Sequence, residues 1–136
     1  MKPEEYELVA ADLKRRKIPA EVKKVVSIML DKKAERIVVL KMKTVTDITD
    51  FMIICQGNSG RQNKAVSDEI QVKLRAEYKM KPFGVEGEKE AEWILLDYVD
   101  FVIHVFSPET RKKYQIEKLW MDAKRYDFSI DDEPEG

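Results

Sequence analysis

The sequence predicts an α/β (α+β) domain in which a mixed sheet of about five strands is flanked by helices. Short runs rich in β-branched residues alternate with segments in which apolar residues recur with the period of a helix. The order is helix–strand–strand–helix–strand–strand–helix. Strands that are interleaved with helices favour a sheet covered by helices over a sandwich of two sheets.

The first helix is predicted at residues 3–17, because Pro3 suits a first turn and a thin apolar stripe follows it. A stripe this weak is typical of an appendage to a domain. A clearer second helix runs from Pro19 to about Lys33, since its apolar residues have the i, i+3, i+4, i+7 spacing of a buried face. These apolar residues are Val22, Val25, Val26, Met29 and Leu30.

Two apolar runs, at residues 37–40 and 51–55, predict central strands. Both are bounded by polar turns, as is typical of strands that are covered on both faces. A Gly-Asn-Ser-Gly turn at residues 57–60 then opens the longest helix, at about residues 61–79. Helix capping by Ser59 explains this turn, and an anion bound at the helix N-terminus is the alternative.

A short strand near residues 83–85 and a β-hairpin with strands at residues 92–97 and 101–106 complete the predicted sheet. A basic turn and a last short helix follow. The inner stripe of this helix is expected to consist of Ile116, Leu119, Trp120 and Ala123.

The hairpin is apolar on both faces. Because side chains alternate along a strand, Trp93 and Leu95 point to one face, and Ile94 and Leu96 point to the other. An antiparallel hairpin with one face in water should be polar on that face. A second cover is therefore expected over Trp93, either the protein's own core or a partner for which Trp93 is an anchor.

The chain is expected to have three parts: an N-terminal helical extension (residues 1–18), a single domain (residues 19–126) and an acidic, disordered tail (residues 127–136). A lone Cys55 excludes an internal disulfide and suits a reducing, cytoplasmic setting. No run of about 18 apolar residues is present, so no membrane contact is expected. Net charge is −1, which gives no global attraction to nucleic acid.

The sequence offers little for catalysis. One His and one Cys are too few for a typical zinc site, and no nucleophile motif surrounds either. His104 lies within a strand, where a structural role, a surface contact and a general base are three alternatives. Strand-end carboxylates lack the spacing that a nucleotidyltransferase needs for Mg²⁺. We expect no enzyme, no catalytic residue, no metal and no other cofactor.

Several segments appear in an order that resembles the ribosomal silencing factor family, also called the RsfS or Iojap family, over roughly residues 22–122. The segments that carry the resemblance include Thr49 to Ile54, Gly57-Asn58-Ser59 with Arg61-Gln62, Glu86-Gly87, Trp93 to Tyr98, Val102 to Phe106 around His104, and Glu117 to Trp120. One departure is Val99, which stands where the family usually has Gly before Asp100.

The resemblance implies a nucleotidyltransferase-like fold without the catalytic residues. It also implies a protein that binds large-subunit ribosomal protein fourteen, sterically blocks joining of the two subunits and represses translation under nutrient limitation, with a further role in large-subunit biogenesis. The contact residues it implies are Trp93, Leu95, Asp97, Tyr98, Glu86, Gly87 and His104.

The sequence leaves open whether the protein also contacts ribosomal RNA or forms a homodimer. Basic clusters at residues 14–17 and 23–24 could serve solubility alone, make a peripheral contact with ribosomal RNA, or mark an RNA-binding module. A homodimer formed through the apolar hairpin face would compete with the ribosome for one surface.

Overall fold

Six strands form one mixed sheet in the order β3-β4-β5-β2-β1-β6 in the computed structural model, which describes residues 3–128. All neighbouring strands are antiparallel except the parallel pair β2 and β5. The predicted α+β class and mixed sheet are confirmed, with six strands instead of about five. The elements are α1 (Pro3–Arg15), α2 (Ala20–Asp31), β1 (Glu35–Lys41), β2 (Phe51–Gln56), α3 (Gly60–Tyr78), β3 (Gly84–Glu86), β4 (Trp93–Asp97), β5 (Phe101–Phe106), α4 (Pro108–Tyr114), a 3-10 helix (Ile116–Trp120) and β6 (Lys124–Asp127).

Helices α2 and α3 pack on one side of the sheet, which we call the helix face. Alternate residues of the central strands, such as Ile94, Leu96 and Ile103, meet the apolar stripes of these helices in the larger of two buried clusters. The helix α1 packs on α2 and adds Val9 and Leu13 to the same cluster. The first helix is thus part of the core and not the appendage that its thin stripe predicted.

The prediction of a single last helix is wrong. Ser107 caps α4 by accepting a hydrogen bond from the Thr110 amide, and the left-handed Gln115 ends it at Tyr114. A 3-10 helix then turns the chain, so that Leu119 is 73% exposed instead of lying on an inner stripe. Of the predicted inner stripe, Ala123 is buried, and Ile116 and Trp120 pack against the smaller buried cluster.

The strand β6 was not predicted, and it shifts the end of the folded part. Asp127 lies in β6, and Phe128 is 1% exposed with its amide donating to the Ile37 carbonyl at 2.9 Å. The folded part therefore includes Asp127 and Phe128, the first two residues of the predicted acidic tail. The remaining tail, residues 129–136, lies outside the described residues. Within residues 3–128, none of the helices has the length and apolar character needed to cross a bilayer.

Candidate functional site

The side of the sheet opposite the helices is only partly covered. We call it the open face, and the strand registers place Trp93, Leu95, His104 and Phe106 on it. At one end, α4, the 3-10 helix and Ala123 cover a smaller apolar cluster. Toward β4, no element within residues 3–128 covers the sheet, and a group of side chains is only partly buried. This group consists of Met52, Trp93, Leu95, Asp97 and Val102.

Trp93 lies where the covered and uncovered parts of the open face meet. Its indole packs against the rings of Phe106 and Tyr114, with centroids 4.9 and 5.0 Å away. The indole Nε1–H donates a hydrogen bond to His104 Nδ1 at 3.0 Å. The ring is thus partly enclosed by this chain, and part of its surface stays accessible.

His104 is 6% exposed, and burial lowers its pKa to about 4. The imidazole is therefore neutral near pH 7, and its Nδ1 is occupied by the Trp93 indole. Among the three roles left open by the sequence, this geometry favours a structural one.

Four other predicted contact residues surround this centre. Leu95 pairs with Glu86 across β3 and β4, which places an apolar and an exposed acidic side chain next to each other on the open face. Asp97 is half-buried, and its Oδ1 accepts a hydrogen bond from the Val99 amide at 2.8 Å, so it also shapes the hairpin turn. Gly87 has a φ of 83°, and a Cβ there would lie 2.0 Å from the Trp93 carbonyl oxygen. Gly87 is thus needed for the loop to approach β4.

Tyr98 does not belong to this surface. It is 5% exposed, it stacks on Phe101 at 5.1 Å, and it lies in the cluster under the helices. Burial raises the pKa of its phenol to about 12. The physical reason is alternation, because Tyr98 follows Ile94 and Leu96 on the helix side whereas Trp93 and Leu95 point away. The prediction of Tyr98 as a contact residue is therefore wrong for the protein in this conformation.

A cleft of about 420 Å³ adjoins the Trp93 ring. Its walls come from the loop before β4 and from α4, and they include residues that were not predicted as site residues. The cleft is lined by Gly87, Glu90, Glu92, Trp93, Glu109, Thr110, Lys113 and Tyr114. Glu109 and Lys113 could not be assigned to this cleft from the sequence, because they lie in α4, which was not predicted as a separate helix.

The turn before α3 makes its hydrogen bonds within the chain. Ser59 Oγ accepts from the Gln62 amide at 3.1 Å, and the Asn58 amide donates to Gln62 Oε1 at 2.8 Å. The Gly57 amide donates to the Phe106 carbonyl. Of the two interpretations of this turn, the geometry thus favours helix capping over an anion-binding site.

Groups that could support catalysis are dispersed or buried. Within residues 3–128, no three His, Cys, Asp or Glu side chains lie close enough together to hold a metal ion. Burial raises the pKa of the Cys55 thiol to about 12, which disfavours a nucleophilic thiolate. What the arrangement offers chemically is a partly covered apolar surface with an aromatic centre and acidic margins, which suits contact with a protein.

The structure is thus a mixed-sheet domain with α2 and α3 on one face and a partly covered aromatic surface on the other. A family model described as "Ribosomal silencing factor during starvation" matches residues 15–135, and the chain belongs to this family. The match leaves out most of α1.

Relatives with known names agree with this assignment. The chain is 44% identical over 93 residues to "Ribosomal silencing factor RsfS" of Halalkalibacterium halodurans, covering 68% of this chain and 79% of that protein. It is 30% identical over 128 residues to "Mitochondrial assembly of ribosomal large subunit protein 1" of Mus musculus, covering 87% and 56% of the two chains. A crystal structure from Chromobacterium violaceum superposes with a TM-score of 0.73 at 34% identity and covers 85% of this chain and 94% of that one.

Proposed function

We propose that this protein binds ribosomal protein fourteen of the large subunit through the open face and so blocks joining of the small subunit under nutrient limitation. We further propose that it acts in the cytoplasm and that the same contact serves large-subunit biogenesis. The observation that carries the proposal is the partly buried Trp93 at the centre of an incompletely covered sheet face. Membership of the ribosomal silencing factor family supports the ribosome as the partner.

The apolar part of the open face supports a protein partner. Met52, Leu95 and Val102 come from three adjacent strands and are each only partly buried, so they extend the Trp93 surface across the sheet. Apolar groups without a full cover gain free energy when a partner removes them from water, at about 25 cal/mol per Å². Trp is also the residue type most enriched among interface anchors.

The margin of this surface is acidic. Glu86 and Asp97 flank Leu95 along the edge of the sheet, and Glu90, Glu92 and Glu109 line the cleft beside Trp93. These carboxylates complement a basic ribosomal protein. They should speed association at low salt, while the apolar centre should keep the complex together as salt rises.

The proposed mechanism needs no reaction. A bound protein of this size prevents joining if it occupies surface that the other subunit must reach, so affinity and position are sufficient and catalysis plays no part. A homodimer through the open face would hide the same residues and would compete with ribosome binding. Lys14 and Arg15 at the end of α1 are exposed, Arg15 while paired with Asp12, and we propose that they make a peripheral contact with ribosomal RNA phosphates in addition to the protein contact.

Sedimentation with isolated large subunits tests the proposal. Trp93→Ala should weaken co-sedimentation by roughly 30-fold or more, the effect of losing an interface anchor worth about 2–4 kcal/mol. Leu95→Ser should also weaken binding, whereas Val72→Ser, on the exposed side of α3 and 60% exposed, should not. Circular dichroism and cooperative unfolding establish that each variant is folded.

A folded Trp93→Ala variant that sediments with large subunits as the unsubstituted protein does would contradict the proposal. Equal loss of binding in Leu95→Ser and Val72→Ser would contradict the assignment to the open face. Tight binding to naked ribosomal RNA, with little binding to ribosomal protein fourteen, would favour the RNA-binding alternative.

A further inference from the structure

One polar contact within the Trp93 surroundings is not required by packing alone. Trp93 pairs with Phe106 across β4 and β5, and His104 pairs with Leu95. The hydrogen bond of 3.0 Å from the indole Nε1–H to His104 Nδ1 is thus a diagonal contact between two cross-strand pairs. Such a contact restricts the rotation of the indole about its side-chain torsions.

The direction of this hydrogen bond determines the state of His104. An indole N–H can only donate, so the imidazole must accept through an unprotonated Nδ1. A neutral imidazole then carries its proton on Nε2. Burial stabilises this neutral form at neutral pH.

The acceptor is itself held in place. The His104 ring lies nearly parallel to the Phe106 ring, with an interplanar angle of 8° and centroids 5.9 Å apart. His104 is also in register with Ile54 of β2, so its backbone lies on a central strand with a neighbour on each side. Nδ1 is therefore a fixed acceptor, whereas Trp93 lies at the first position of its strand.

We propose that His104 is a positioning residue, which holds the Trp93 indole in the orientation that a protein partner meets without itself serving as an anchor. This inference rests on the proposed function, because it assumes that Trp93 is a contact residue. A side chain that is ordered before association loses less conformational entropy on binding. The gain from one such hydrogen bond corresponds to about three- to tenfold in affinity.

The first test uses the free protein and does not depend on any partner. His104→Asn places its Oδ1 near the position of Nδ1 and keeps an acceptor, whereas His104→Leu keeps bulk and removes it. In a Trp120→Phe background Trp93 is the one remaining indole of the chain, since the sequence has two Trp residues. Nuclear magnetic resonance of the indole N–H then reports its hydrogen bond through chemical shift and exchange with water.

The expected result is a shifted indole N–H signal and at least about fivefold faster exchange in His104→Leu, with both properties largely restored in His104→Asn. An unchanged signal in His104→Leu, or equal changes in both variants, would overturn the inference. If His104→Leu does not fold, His104→Met replaces it, because its flexible side chain keeps the bulk and its thioether is only a weak acceptor.

The second test measures binding to large subunits. We expect His104→Leu to weaken binding about three- to tenfold and His104→Asn to restore it to within about twofold. Unchanged binding in a folded His104→Leu variant, together with weak binding of Trp93→Ala, would overturn the positioning role of His104 but would still support the open face as the binding surface. If instead Trp93→Ala binds normally, the proposed function fails, and with it the inference.

Discussion

The two faces of the sheet are built from alternate residues of the same strands, yet they differ in cover. On the helix face Ile94, Leu96 and Ile103 are completely enclosed by α2 and α3. On the open face Trp93 and Leu95, which alternate with them along β4, stay partly accessible. The difference shows that the period of two along β4 separates side chains that are enclosed in the core from side chains that stay partly accessible.

The kind of residue also differs between the faces. The helix face of β4 is aliphatic, and its side chains are fixed by surrounding atoms. Around Trp93 the packing is mainly aromatic, and a hydrogen bond between Trp93 and His104 contributes to it. An enclosed aliphatic side chain needs no directional contact, whereas an indole with fewer neighbours gains its orientation from one.

The largest expected effect tests this separation directly by means of two adjacent leucines. Leu96→Ala should lower the free energy of unfolding by about 3 kcal/mol, because it leaves a cavity under the helices. Leu95→Ala removes a side chain that is already partly in water and should cost about 1 kcal/mol or less. Urea unfolding at neutral pH measures both values.

Binding should rank the same two variants in the opposite order. At temperatures where both are folded, we expect Leu95→Ala to weaken co-sedimentation with large subunits more than Leu96→Ala does. Similar losses of stability in the two variants would show that the open face is as well enclosed as the helix face, and the comparison would then be wrong.

Much of this division could be predicted from the sequence, because it depends on local periodicity. The alternation of residues 93–97 predicts which side chains share a face, and applied one residue further it also places Tyr98 in the core. Gly87 was predicted as a contact residue, but its requirement for a positive φ became evident only from its approach to the Trp93 carbonyl.

The cover of the open face could not be predicted in the same way. The buried Arg111 holds α4 in place through a hydrogen bond of 2.7 Å to the Arg36 carbonyl and an ion pair of 2.9 Å with Glu117. Arg36 precedes Arg111 by 75 positions, so no local pattern contains the contact. The strand β6 was missed for a related reason, since its Lys124–Asp127 segment is mostly polar and becomes a strand by pairing with β1.

A smaller effect, dependent on pH, should come from the open face through His104. The folded protein holds its pKa at about 4, below the ordinary value of 6.5, so the unfolded chain binds a proton first as pH falls. Protonation of His104 in the unfolded chain therefore lowers the free energy of unfolding. This destabilisation is nearly absent above about pH 6.5, grows as pH falls toward about 4 and is constant below that value. Between pH 7 and pH 5 we expect a loss of about 2 kcal/mol in unfolding free energy.

Urea unfolding at pH 7, 6 and 5 measures this loss, and His104→Asn is the control that lacks the titrating group. The difference in unfolding free energy between the two proteins should shrink as pH falls, because only the unsubstituted protein is destabilised by protonation of His104 in its unfolded chain. Parallel pH profiles for the two proteins would mean that burial does not keep His104 neutral, which would contradict the buried position of its side chain.

The smallest expected effect concerns Val99, in the turn between β4 and β5. Val99 has a φ of 72° and is 57% exposed, so a β-branched residue adopts the left-handed region without burying its side chain. This conformation costs about 1–2 kcal/mol, whereas Gly adopts it freely but gives the unfolded chain more entropy. Val99→Gly should therefore raise the free energy of unfolding by about 0.5–1 kcal/mol, measured by urea unfolding.

Val99→Asn is the control. Asn tolerates the same φ, so this substitution should give a smaller gain in the free energy of unfolding. Destabilisation by both substitutions would show that contacts of the Val99 side chain outweigh its strain. Because the strained residue lies on neither face, neither substitution should alter the ranking of Leu95→Ala and Leu96→Ala.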